Sequence, residues 1–422
     1  MAASTPREAP AIKIVSKQDD LSVVPPVKPL SYEEADAIIR KGADSFSFNA
    51  ANGGHGRVDV VSLGTKIPSE DRWDVGVIKG PDGQDTLYAG LYDGHNGPDT
   101  ADVLAKSLIP YVANALAAES SASNAEDTIK QAFVSLDDRI MDMAKTALDV
   151  GHPAGAAEMR SATGPAFAGS CALLLVYEPS SATLRTAITG DSRAVRAQWS
   201  PDADMSYMVD VLSKDQNSCN EEEYARIAAA HPGEEHDIMD TSYGGLLTMS
   251  VTRAFGNHRW KWPAELVMKA RGNCHSPKPF RASKTPPYMT AAPEVTTRAV
   301  GDGRDFVILG SDGLWEAISN EDAVECVSRW LAARRSGGAN PEKVEESRES
   351  RYDVNEDGSL SRTARPDDFI IEDLDNAAVC LLKNVLGGRH KYMIAGALTA
   401  AAPISRYVRD DITAQVIFFQ DP

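Results

Sequence analysis

The chain has 422 residues, of which 42% are hydrophobic and 25% charged, as in a globular protein and unlike a disordered or fibrous one. Its 43 Lys and Arg residues stand against 61 Asp and Glu residues, a formal net charge of −18. Such an acidic surface disfavours nucleic acid and anionic membranes as partners, and no clear basic run offsets it.

The first half of the chain predicts a tail, a short helix, strands and two long helices. Residues 1–30 are polar and proline-containing, which is typical of a mobile tail. Ser31 and Glu34 form the signature of a helix N-terminus. Alternating apolar residues predict strands within 58–78 and over 85–92. Apolar residues at helical spacing predict helices over 98–118 and 124–149.

The second half adds strands over 172–179, 183–189, 194–199, 304–310 and 412–419, with helices over 221–230, 321–335 and 373–386. Asp191 and Ser192, after Gly190, have the composition of a tight hairpin turn between two of these strands. No apolar run reaches the roughly 18 residues of a membrane span. Residues 31–422 are therefore predicted to form one α+β domain with helices packed on a sheet sandwich, carrying insertions at about 200–245, 257–290 and 336–372.

Three aspartates share one context at the ends of predicted strands. Asp93 and Asp312 directly follow apolar strands and are each followed by glycine, and Asp410 opens the last strand. A single Asp-Gly at such a place is most simply a turn. Three carboxylates meeting at one rim would repel one another unless a cation lay between them, and oxygen ligands favour Mg²⁺ or Mn²⁺.

Seven short motifs extend this pattern over residues 60–420. In chain order they are SEDR at 69–72, YDGHNG at 92–97, GSCA at 169–172, GDSRAV at 190–195, TRAFG at 252–256, SDGLW at 311–315 and RDDIT at 409–413. Together they resemble the motif series of the protein phosphatase 2C family, metal-dependent serine/threonine phosphatases. The resemblance implies a β-sandwich of two mostly antiparallel sheets flanked by α-helices, a four-layer αββα fold.

The resemblance also implies roles for individual residues around two metal ions. Asp93 would bridge both ions. Asp312 and Asp410 would complete the first site, and Glu70 with the Gly94 carbonyl the second. Asp191, with Asp312 and Glu316, matches a third and weaker site. His95 would be the general acid, and Asp71 would orient water. These implied site residues are Glu70, Asp71, Asp93, Gly94, His95, Asp191, Asp312, Glu316 and Asp410.

These residue types suit phosphomonoester hydrolysis. Water bridging two divalent ions is far more acidic than bulk water and can attack phosphorus at neutral pH. An imidazolium at His95 can protonate the departing serine or threonine alkoxide. The resemblance places a phosphate-binding cation at Lys66, with Arg72 as the nearest alternative. Asn257 replaces the aspartate usual in the family, which puts the local hydrogen bonding in doubt.

The compartment and the substrate follow from different features. Five scattered cysteines without a CxxC pair indicate a reducing, intracellular setting. The N-terminal 20 residues, judged alone, resemble neither a signal nor a transit peptide and so predict the cytoplasm. Residues 376–413, however, are similar to the pyruvate dehydrogenase phosphatase branch, which implies a phosphoprotein substrate in the mitochondrial matrix. The sequence names no regulatory subunit.

Three hypotheses remain open from the sequence. The first is an active Mg²⁺- or Mn²⁺-dependent phosphatase acting on phosphoserine and phosphothreonine in proteins. The second is a catalytically inactive scaffold of the same fold, which would be expected to lack one or more metal ligands, whereas all are present here. The third is a hydrolase of small phosphoesters, against which the long insertions weigh because they could line a surface for a protein substrate.

Overall fold

The computed structural model describes most of the predicted domain. The described residues are 28–50, 54–65, 67–80, 83–119, 124–150, 155–201, 207–240, 245–301, 303–338, 353–354, 360–361, 363–400, 405 and 408–422. The mobile tail predicted over 1–30 lies almost wholly outside them, as does much of the predicted insertion at 336–372. None of the helices among these residues is long and apolar enough to span a membrane.

The strands, numbered in chain order, are β1 Ala43–Asn49, β2 His55–Leu63, β3 Arg72–Lys79, β4 Asp85–Tyr92, β5 Gly94–His95, β6 Gly169–Ser170, β7 Ala172–Glu178, β8 Thr183–Thr189, β9 Arg193–Trp199, β10 Tyr207–Val211, β11 Met239–Asp240, β12 Gly245–Leu246, β13 Phe255–Gly256, β14 Glu294–Ala299, β15 Phe306–Gly310, β16 Asp353–Val354, β17 Leu360–Ser361 and β18 Ile412–Phe418.

The helices are α1 Tyr32–Lys41, α2 Asp99–Ala118, α3 Ala125–Val150, α4 Ala156–Phe167, α5 Glu221–Ala230, α6 Glu235–Ile238, α7 His258–Lys261, α8 Ala264–Cys274, α9 Asp312–Trp315, α10 Asn320–Arg335, α11 Ala377–Leu386 and α12 Lys391–Thr399. The predicted capping box of α1 is present, because Ser31 Oγ accepts from the Glu34 amide and the Glu34 side chain accepts from the Ser31 amide.

Two antiparallel sheets form the centre of the domain. The first has the strand order β1-β2-β18-β15-β9-β10, and the second has the order β14-β8-β7-β4-β3. Successive side chains along each strand point to opposite faces of its sheet. Ile417 of β18 therefore lies between the two sheets, whereas Val416 points away from the other sheet. A small third sheet, β13-β6-β5, continues from the end of β4.

Three apolar clusters separate four layers. Val58, Leu91 and Leu309 belong to the cluster between the sheets. A second cluster joins the first sheet to α1, α10, α11 and α12, and a third joins the second sheet to α2, α3, α4 and α8. The predicted αββα fold is confirmed.

The predicted hairpin at Asp191–Ser192 is wrong. β8 pairs with β7 and β14, whereas β9 pairs with β10 and β15 in the other sheet. Residues 190–192 therefore carry the chain from one sheet to the other. Gly190 has φ +109°, and a Cβ there would lie 2.3 Å from Cys171 Sγ, so this crossing requires glycine. The crossing brings Asp191 to the end of the sandwich.

A half-buried carboxyl in the second sheet, that of Asp74, gives a testable prediction. Asp74 of β3 lies opposite Gly90 of β4, and its carboxylate accepts a hydrogen bond of 2.8 Å from the Tyr92 hydroxyl. A Cβ on Gly90 would lie 2.2 Å from that hydroxyl. Burial raises the pKa of Asp74 to about 7, although the Tyr92 hydrogen bond opposes the shift.

Because this folded pKa exceeds the unfolded value, stability falls as pH rises from about 4 to 7, and the cost is fully present above pH 7. We expect Asp74→Asn to raise the free energy of unfolding by about 3 kcal/mol at pH 8 and by roughly half as much at pH 5.5. Urea unfolding at both pH values measures this, with exposed Asp138→Asn as control. A gain that does not change with pH would contradict the assignment.

Candidate active site

The site lies where β4 ends and the small third sheet begins. Asp93 follows β4, and its carbonyl accepts a hydrogen bond of 2.8 Å from the Cys171 amide. The next two residues form β5 and pair with β6, with Gly94 opposite Ser170 and His95 opposite Gly169. The predicted strand end therefore carries Asp93 and His95 on a backbone that two sheets hold in place.

Six predicted acids lie close to one another at this end of the sandwich. Asp93 is partly buried, and desolvation raises the pKa of its carboxyl well above the usual value, with the charges of Asp312, Asp71 and Asp191 adding to the shift. Burial, followed by the charge of Asp312, raises the pKa of Asp191 to about 7. Burial also raises the pKa of Glu316, together with the charges of Asp312 and Asp410. The charge of Asp312 thus acts on three other acids, Asp93, Asp191 and Glu316.

Glu70 and Gly94 lie in close contact at the same end of the sandwich. A Cβ on Gly94 would lie 2.4 Å from the Glu70 carbonyl oxygen, so only glycine permits this approach. The Glu70 carboxylate accepts a hydrogen bond of 2.7 Å from the Gly97 amide. The predicted pair of ligands for the second ion therefore lies on adjoining backbone segments.

Asp411 holds the segment that carries Glu70, a role that sequence reasoning did not assign. It accepts hydrogen bonds of 2.8 Å from the Ser69 hydroxyl and the Glu70 amide, and others from the amide and hydroxyl of Thr65. Burial opposes its ionisation, but these donors lower its pKa below the usual value. Its own amide donates to Asp410 Oδ1 at 2.8 Å. Asp411 thus joins two segments of predicted ligands.

Asp71 is buried between these groups. Its Oδ2 accepts a hydrogen bond of 2.7 Å from the Thr413 hydroxyl, whereas its Oδ1 is buried without a hydrogen-bond partner among the described residues. Burial raises the pKa of Asp71 well above its usual value, and the charges of Asp411 and Asp312 add to that shift. A buried acceptor without a donor is costly, and an ordered water would satisfy it.

His95 contacts a residue whose part sequence reasoning missed. Asn257 Nδ2 lies 2.8 Å from His95 Nε2, and the Asn257 backbone has the left-handed φ of +57°. A Cβ on Gly169 would lie 2.2 Å from His95 Nε2, so glycine leaves room for the ring. The departure from the family pattern at Asn257 was visible in the sequence. Its contact joins residues 162 positions apart, which no local signal indicates.

Of the two candidate phosphate-binding cations, the structure describes only Arg72. Lys66 lies outside the described residues. The Arg72 guanidinium donates to Asp102 at 2.6 Å and to the carbonyls of Ser69 and Asp71 at 2.7 Å each. These contacts hold Arg72 beside the Glu70 segment and take up several of its five donors.

The donor set fits a hard divalent cation. The predicted ligands are carboxylate and carbonyl oxygens, which Mg²⁺ and Mn²⁺ prefer. Positive charge would offset the repulsion that, after burial, raises the pKa of Asp93. Within the described ranges, no three His, Cys, Asp or Glu side chains are arranged as a ready-made metal site. The Asp93 and Asp312 carboxyl groups lie close enough to share a hydrogen bond when one of them is protonated.

Comparison with known proteins gives one consistent result. The protein phosphatase 2C family model matches residues 78–351. A protein phosphatase 2C homolog of Schizosaccharomyces pombe is 32% identical over 86% of this chain and 80% of its own length. The mitochondrial pyruvate dehydrogenase (acetyl-transferring) phosphatase 1 of Saccharomyces cerevisiae is 31% identical over 100% of this chain and 78% of its own length. The chain therefore belongs to the protein phosphatase 2C family and is a protein serine/threonine phosphatase.

Proposed function

We propose that the chain hydrolyses phosphoserine and phosphothreonine in proteins with the help of two Mg²⁺ or Mn²⁺ ions. The observation that carries the proposal is the meeting of Asp93, Asp312, Asp71 and Asp191 at one end of the sandwich. Asp93, Asp312 and Asp410 would hold one ion, and Asp93, Glu70 and the Gly94 carbonyl the other, with Asp191 and Asp312 available to a third. When bound, such ions supply a water acidic enough to attack at neutral pH and positive charge for the phosphoryl oxygens.

The remaining groups would transfer a proton, orient the attacking water and bind the substrate phosphate. His95 would donate a proton to the serine or threonine oxygen as its bond to phosphorus breaks. Asn257 Nδ2 can donate only to an unprotonated His95 Nε2, so this contact would hold the ring with the proton that it gives up on Nδ1. Asp71, with an unsatisfied buried oxygen, would accept a hydrogen bond from the attacking water and so orient it. Lys66, or Arg72 beside Glu70, would bind the substrate phosphate.

The substrate we propose is phosphorylated pyruvate dehydrogenase or another phosphoprotein of the mitochondrial matrix. Support comes from a relative, since the Saccharomyces cerevisiae protein described above is a mitochondrial pyruvate dehydrogenase phosphatase and matches along the whole of this chain. The resemblance of residues 376–413 to that branch, noted from the sequence, points the same way.

The purified chain tests this proposal when it is incubated with Mn²⁺ and either phosphorylated pyruvate dehydrogenase or an unrelated phosphopeptide. We expect phosphate release from both, with faster release from the dehydrogenase, and none after chelation of the metal. Similar rates on both substrates would reject the assigned substrate and retain the phosphatase. Hydrolysis of small phosphoesters alone would favour the third hypothesis, and no hydrolysis at all would favour the inactive scaffold.

A further inference from the structure

The insertion at residues 257–290 has a charge opposite to that of the rest of the chain. It contains seven Lys and Arg residues and one acidic residue, Glu265, in a protein of net charge −18. The basic residues are separated along the sequence, so no run of positive charge marks them. The structure places them on α7, on α8 and on the loop that follows α8.

Contacts with α7 hold the loop that follows α8 in place. Arg259 donates through Nε and Nη2 to the Lys278 carbonyl at 2.9 and 2.6 Å, and its guanidinium lies 3.8 Å from the centre of the Phe280 ring. Ser276 Oγ lies 2.7 Å from His258 Nε2 in a buried contact. Arg259 contacts only the main chain of Lys278, and the Lys278 residue is exposed to solvent.

Some of the positive charges in this region are already paired. Three lysines of the insertion form ion pairs with carboxylates, namely Lys261 with Asp137, Lys269 with Asp149 and Lys284 with Asp237. Neutralised in this way, those three lysines offer little to a partner.

Four other cations form no ion pair with an acidic side chain of the described residues. They are Arg259, Arg271, Lys278 and Arg281, which we name the basic patch. The last three are exposed, and Arg259 is half-buried. A cluster of unpaired cations on an acidic protein creates a local positive potential that attracts an acidic partner.

The basic patch begins beside the candidate active site. Asn257, whose side chain contacts His95, is two residues before Arg259, so their Cα atoms are at most about 7 Å apart. Arg259 in turn contacts the Lys278 carbonyl. A polypeptide with its phosphorylated residue near His95 could therefore lay its neighbouring residues on the patch.

We infer that the basic patch binds an acidic segment of the phosphoprotein substrate that adjoins the phosphorylated residue. The inference rests on the proposed function and adds a substrate preference to it. A short acidic segment can contact the patch alone, whereas an extended polyanion such as RNA or a membrane surface would also meet the acidic remainder of the protein. Exposed ion pairs are individually weak, so the preference arises from several together.

The test uses the full chain, Mn²⁺ and two phosphopeptides that differ only in having Asp and Glu, or Asn and Gln, around the phosphoserine. In the double variant Lys278→Glu, Arg281→Glu we expect KM for the acidic peptide to rise about tenfold with kcat unchanged, and KM for the neutral peptide to change less than about twofold. The matched control Lys41→Glu, Lys106→Glu makes the same charge change at exposed lysines of α1 and α2 and should keep the preference.

Equal KM values for the two peptides with the wild-type chain would overturn the docking inference and leave the proposed function intact. Failure of the wild-type chain to hydrolyse either peptide or p-nitrophenyl phosphate would overturn the proposed function itself. Cosedimentation with phosphatidylserine vesicles that the double variant loses, with both KM values unchanged, would assign the patch to membranes and reject the inference.

Discussion

Asp312→Asn and Asp93→Asn are each expected to lower Mn²⁺-dependent phosphate release by at least about a thousandfold, while the protein stays folded. The two carboxylates follow β15 and β4, so rigid strands hold both at one rim. Asparagine keeps the size of aspartate but lacks the negative charge that binds a divalent cation. Phosphate release from a phosphopeptide at saturating Mn²⁺ measures the loss.

Thermal unfolding separates lost metal binding from lost folding. Burial and neighbouring acids raise the pKa of Asp93, so removing one negative charge should not lower the melting temperature measured with a chelator present. The rise in melting temperature on adding Mn²⁺ should disappear in both variants, because binding to the folded state alone produces it. Exposed Asp138→Asn should behave as wild type. Wild-type turnover in both Asp312→Asn and Asp93→Asn would refute the assignment.

The parts of the fold that the sequence predicts are those with a local signal. Alternation and apolar runs locate β4, β7, β8 and β18 within a residue or two. Helical spacing locates α2 and α3 equally closely. Because a buried strand must end at the rim of its sheet, the position of Asp93 after β4 also follows from local sequence.

Weak local signals explain the elements that the sequence did not predict. In β1, Phe46 and Phe48 are the only large apolar residues, too few for a clear strand signal, and the strand occupies the edge of its sheet. In α4, Gly164 and Pro165 lie inside the helix, where both are unfavourable. Tertiary contacts, which a single sequence does not display, decide the structure of such segments.

Pairing between distant segments explains the remaining differences. The turn at Asp191 has hairpin composition, yet β9 pairs with β15, more than 100 residues later. Asp411 holds Ser69 and Glu70 across more than 340 residues. Turn composition reports the local bend and not the sheet to which each arm belongs. For this reason the sequence indicates which residues are candidates for the site but not which residues they contact.

Replacing His95 with Gln is expected to slow hydrolysis of an alkyl phosphate, such as a phosphoserine peptide, by about 10²- to 10⁴-fold. The serine oxygen is a poor leaving group and needs a proton as its bond to phosphorus breaks. Hydrolysis of p-nitrophenyl phosphate should slow far less, because p-nitrophenolate leaves without a proton. The ratio of the two kcat/KM values measures this difference and is insensitive to the fraction of active protein.

The contact between His95 and Asn257 extends the same test. Because Asn257 Nδ2 lies 2.8 Å from His95 Nε2, Asn257→Ala should free the ring and reproduce the alkyl-selective loss in weaker form. His55→Gln changes an exposed histidine at the start of β2 and should leave the ratio at the wild-type value. Equal slowing of alkyl and aryl phosphates by His95→Gln would show that His95 serves binding or folding, since only proton donation distinguishes the two leaving groups.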